Sequence, residues 1–103
     1  MDADARIPCR TPAAGRDGAT RIPAWKFDLM RAAILDVLGQ GDLAFADLKE
    51  AVRPRIPKDK LDALGSLGWH VTTVKLELEV RGEIARLPKS GPQQITLGTG
   101  SSA

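Results

Sequence analysis

A chain of 103 residues with 43% apolar and 27% charged residues has the balance of one globular domain, which excludes disorder arising from low hydrophobicity and high net charge. Fifteen basic against thirteen acidic residues leave +2, too slight a balance for total charge to indicate a nucleic-acid partner. Cys9 is the only cysteine, which excludes an internal disulfide, and neither the aliphatic run 32–35 nor the opening Met1-Asp2-Ala3-Asp4 reads as a membrane span or a signal core, so a cytoplasmic protein without a membrane partner is expected.

Residues 1–22 carry Pro8, Pro12, Gly15, Gly18 and the arginines Arg6, Arg10, Arg16 and Arg21. Ile7 and Ile22 are their only large aliphatics beyond Met1. This composition predicts an arm, either a flexible tail or a segment that lies on the domain or reaches a partner. Pro23 suits the first turn of a helix, and Phe27, Met30, Ile34 and Val37/Leu38 then recur at helical spacing, which predicts a first helix over Ala24–Leu38 closed by Gly39 and Gly41. Leu43-Ala44-Phe45 reads as a short strand. Phe45, Leu48 and Val52 mark a second helix of about two turns, stopped before Pro54 because the residue preceding proline is pushed out of the α region. A long connection over residues 53–67 follows, in which Pro57 suits the opening of one further helical turn.

Residues 67–81 carry two patterns. Val74, Leu76, Leu78 and Val80 alternate with Lys75, Glu77, Glu79 and Arg81 as in a strand, while Leu67, Val71, Val74 and Leu78 form a helical stripe followed by Gly82 at the C-cap position. The helical reading is preferred. After Gly82, residues 84–87 and 93–97 read as two short strands joined through the Pro/Gly-rich bend 88–92, forming a hairpin or wing. Residues 98–103 read as a flexible tail, so the domain is expected to span residues 23–97.

Helix, short strand, helix, helix and two-stranded wing is the order of winged helix-turn-helix domains. The stretch 71–86, with Val71, Leu78, Gly82, Ile84 and Arg86 in place, resembles the third helix and first wing strand of that superfamily. More narrowly, Gly68-Trp69, Thr73-Val74-Lys75-Leu76-Glu77-Leu78-Glu79, then Gly82, Ile84 and Arg86, with Trp25-Lys26-Phe27 and Met30-Arg31-Ala32 before them, look like a family of small bacterial proteins of unknown function. The resemblance implies an α+β, winged-helix-like fold with three main helices, and it implies no activity. Two features depart from a DNA-reading member: residues 53–67 exceed the short turn of a helix-turn-helix, and Lys75 stands where the third helix often buries an apolar side chain.

Catalytic chemistry has little to draw on. The only histidine, His70, lies four residues after Ser66 with no orienting carboxylate implied, and one histidine with one cysteine matches no metal-ligand spacing. Glu77 and Glu79 read as solvated charges, with Arg81 at i+4 from Glu77. Gly39-Gln40-Gly41 lacks the spacing of a phosphate-binding loop. No enzyme, catalytic residue, cofactor, metal or small-molecule substrate is expected.

Turning about 100° per residue, the third helix places Trp69, Leu76 and Val80 nearly opposite its Leu67/Val71/Val74/Leu78 stripe. A helix apolar on both sides is usually covered on both sides. The arm, the 53–67 connection or another chain must therefore shelter that face, and with a second copy Trp69 would anchor a homodimer. Two functions stay open. Double-stranded DNA binding would use Arg53, Arg55, Lys58, Lys60, Thr72, Lys75, Arg86 and Lys89. Protein interaction or homodimerisation would use Trp69, Leu76 and Val80.

Overall fold

The computed structural model describes residues 6–11, 15–87 and 93–98. Pro23 precedes α1 (Ala24–Leu38), which lies where its apolar spacing places it, and Phe27, Met30, Ala33, Ile34, Val37 and Leu38 form its buried face. The two-residue strand β3 (Leu43–Ala44) runs directly into α2 (Phe45–Val52), whose Leu48 and Val52 are fully buried. The connection that follows is built rather than loose: a 3-10 turn over Arg53–Arg55, then α3 (Lys58–Leu64) with Pro57 as its N-cap.

The stretch with two patterns is helical. In α4 (Leu67–Arg81) the Ser66 hydroxyl accepts from the Trp69 N–H at the N-cap, and Gly82 closes the helix at φ 80°, a left-handed conformation that glycine adopts without a Cβ penalty. Strand β4 (Ile84–Arg86) follows at once and pairs antiparallel with β5 (Gln94–Leu97), which also pairs with β3, giving the order β3-β5-β4. Ile84 and Ile95 turn into the core. The bend 88–92, including Lys89, and residues 99–103 of the expected tail lie outside the described residues.

Residues 6–11 and 15–23 lie on the domain. Strands β1 (Arg6–Thr11) and β2 (Gly15–Pro23) form an antiparallel ribbon in the register Ile7↔Ile22 and Cys9↔Thr20, with an irregularity between Cys9 and Thr11. Cys9 and Ile22 join the core cluster, and β1 runs along α4 while α1 packs across the same helix. α4 is thus the central element of an α+β fold with four α-helices and two small antiparallel sheets among the described residues. None of those helices is long and apolar enough to cross a membrane.

Candidate functional site

The outer surface of α4 is the candidate site. Its inner stripe, Leu67, Val71, Val74 and Leu78, is core, yet the opposite stripe is open: Trp69 is 47% and Val80 37% exposed, with Leu76 half-buried between them. Among the described residues, neither the arm nor the 53–67 connection, two of the three covers expected for this face, shelters it. β1 approaches α4 from the Glu77 side instead, because the polar seam there offers a carboxylate to its backbone and to Arg10. Thr72 is exposed and Thr73 half-buried on the same open surface, which bears no charged side chain of its own.

The two flanking seams are buried ion pairs, where solvated charges were expected. Glu77 is fully buried. It accepts from the Arg10 backbone N–H (2.8 Å), from Arg10 Nε (3.0 Å) and Nη2 (2.6 Å), and from Arg81 Nε (2.8 Å). Burial alone would raise its pKa, but the Arg10 side chain and N–H and the Arg81 guanidinium outweigh it and hold the carboxyl at about 2. On the other seam Glu79 lies between Lys75 Nζ (2.6 Å) and Arg86 Nε (3.1 Å).

Lys75, one of the candidate DNA contacts, is enclosed in the fold. Its side chain is only 2% exposed, its Nζ donates to Gln93 Oε1 (2.6 Å), and it stands 4.5 Å from the centre of the Phe45 ring. Burial lowers its pKa, with Glu79 opposing that shift. An ammonium so enclosed is engaged in contacts within the fold.

The basic connection is also largely paired. Arg53 binds Glu50 at 3.0 Å, Arg55 pairs with Asp36, and Lys58 lies 3.8 Å from Asp62. Lys60 stands 5.5 Å from the Trp25 ring centre, with Lys26 5.6 Å from the same ring. The Asp36–Arg55 pair also lines an open cleft of about 380 Å³ with Leu29, Ala32 and Ala33. Arg86 is half-exposed and keeps its Glu79 partner. The candidate DNA contacts among these cations belong to the 3-10 turn, to α3 and to β4.

The polar groups weighed for catalysis have structural partners. Ser66 caps α4, and its carbonyl accepts from His70 Nδ1 at 2.7 Å, so hydroxyl and imidazole do not form a nucleophile–base pair. The Cys9 thiol is pushed up to about 11, by burial first and then by the Glu77 carboxylate, which leaves it protonated at neutral pH. Among the described residues no group of His, Cys, Asp and Glu gathers to hold a metal ion.

Sequence reasoning missed the part of Arg10, Glu77 and Gln93 in fixing this surface. The contacts span 67 residues for Arg10–Glu77 and 18 for Lys75–Gln93, beyond any local periodicity. No curated protein and no solved structure matches the chain. Residues 6–95, which run from the ribbon through β5, match a family of unknown function, DUF6958, and the chain belongs to that family.

Proposed function

We propose that the protein is a non-enzymatic module of the winged helix-turn-helix type that binds another protein through the outer face of α4. Support for the fold type comes from the succession α1, β3, α2, α4, β4, β5 and from the sheet order β3-β5-β4, in which the C-terminal pair forms the wing. α3 and the N-terminal ribbon are additions to that plan.

The observation that carries the protein-binding reading is the open stripe of Trp69, Leu76 and Val80 on a helix whose charged side chains are drawn aside into buried pairs. Reading base edges requires donors and acceptors aimed into the major groove, and this surface offers only Thr72 and Thr73. Duplex DNA remains the other reading, supported by Arg86, Lys60 and the paired arginines of the connection. Pairing with Glu50, Asp36 and Asp62 weakens their attraction for phosphate. An exposed indole with neighbouring aliphatic side chains is instead the composition of a protein-interface anchor.

A photo-crosslinking amino acid placed at Leu76 in the expressing cell tests this reading. A protein adduct that disappears when Trp69 is also replaced is the expected result. An adduct removed by nuclease treatment, or no adduct, overturns it.

A further inference from the structure

Residues 69, 73, 76 and 80 on the open face of α4 are spaced by four, three and four. That alternation keeps one seam of a helix facing a second helix over several turns, because its mean period matches the 3.5-residue repeat of two-helix packing. The open stripe therefore has the geometry to receive a helix laid along it, over roughly 16 Å from Trp69 to Val80 at 1.5 Å per residue.

Its borders carry a definite charge. At about 100° per residue, Glu77 and Glu79 lie on opposite sides of Leu76. Both carboxylates point inward, with side chains 0% and 6% exposed, while the guanidiniums that bind them, Arg10 and Arg86, are 39% and 50% exposed. Each carboxylate is shared by two cations, Arg10 and Arg81 on one side, Lys75 and Arg86 on the other. The apolar stripe is thus bordered by positive charge along both edges. Arg86 meets Glu79 through Nε, and its two Nη groups make no hydrogen bond or ion pair among the described residues.

We propose that the partner element is an acidic amphipathic helix, with an apolar seam on the Trp69/Thr73/Leu76/Val80 stripe and carboxylates on both flanks that meet Arg10 and Arg86. The proposal rests on the reading that this face binds protein. A second copy of the chain is a poorer occupant: a two-fold axis between antiparallel α4 helices sets each border against itself, Arg86 edge to Arg86 edge, which opposes like charges. Carboxylates on both flanks remove that conflict and add charge-assisted hydrogen bonds.

The test uses two synthetic peptides of about 20 residues, long enough for helix formation in water, with the same leucine seam at heptad spacing and either glutamate or lysine at the flanking positions. Fluorescence anisotropy with the full chain reads their affinities. The glutamate peptide is expected to bind at least about tenfold more tightly at low salt, with the advantage shrinking in high salt and on Arg86→Gln.

Equal binding of both peptides, or preference for lysine, overturns the proposal; if that binding is lost on Trp69→Glu, the stripe still serves a protein and the broader reading stands. Binding of neither peptide also overturns it, and the Leu76 crosslink then decides the broader reading. A random-sequence DNA duplex that displaces the glutamate peptide, or a concentration-dependent dimer that shields Trp69, identifies a different occupant and overturns it as well.

Discussion

Replacing Glu79 by alanine is expected to destabilise the fold by about 3–5 kcal/mol, because breaking a buried ion pair from one side strands the other charge. The stranded group is the Lys75 ammonium, which keeps only the Gln93 amide oxygen at 2.6 Å and the Phe45 ring at 4.5 Å. Burial already lowers the Lys75 pKa, and the Glu79 carboxylate is what opposes the shift. Without it the folded chain sheds a proton that the unfolded chain keeps, so the stability of the variant rises with pH toward the ordinary lysine range. The double variant Lys75→Met, Glu79→Leu removes both charges together and is expected near wild-type stability. Urea unfolding of the three proteins checks this; a loss below about 1 kcal/mol for Glu79→Ala would show that water reaches the ammonium.

Acid supplies the second large effect. The Glu77 carboxyl has its pKa lowered from an ordinary 4.5 to about 2 by Arg10 and Arg81, against the opposing effect of burial. A depressed carboxylate stabilises the fold above its unfolded pKa and loses that contribution as the pH falls through the folded one. About 3 kcal/mol is therefore expected to disappear between pH 4.5 and pH 2. The loss falls on the ribbon, since Glu77 is what ties Arg10 of β1 to α4. Glu77→Gln has no such proton to bind and is expected to be less stable at neutral pH yet flatter across that window. Unfolding midpoints measured for both proteins from pH 7 to pH 2 separate Glu77 from the other carboxylates; parallel curves would contradict its role.

Helices α1, α2 and α4 and the C-terminal strands were legible because their signals are local, whereas α3 was read only as one further turn after Pro57. Phe27, Met30 and Ile34 mark α1 by spacing alone, the proline before and glycines after it set its limits, and Gly82 decides the ambiguous stretch for helix. The ribbon was not legible. Among the described residues its inward aliphatic and thiol side chains are Ile7, Cys9 and Ile22, Pro8 sits in a strand where proline is unusual, and its anchor is a carboxylate 67 positions away. The site was half legible for the same reason. The spacing showed a second apolar stripe on α4 and the i+4 pairing of Lys75 with Glu79, but whether Trp69 is sheltered and whether Lys75 is enclosed depend on where β1 and Gln93, just before β5, pack, and local pattern carries no record of that.

That the outer stripe of α4 is surface, free for a partner, is tested most directly by Trp69→Glu. Trp69 stands three residues after the Ser66 N-cap, where a glutamate would complete a reciprocal capping pair with the serine while removing the exposed indole and its edge-on contact with His70. In urea unfolding the variant is expected to lie within about 1 kcal/mol of wild type, since a solvent-facing side chain is exchanged for one favourable to the helix start. A loss of about 3 kcal/mol or more, the cost of truncating a core aromatic, would contradict it and return the stripe to the interior of the fold.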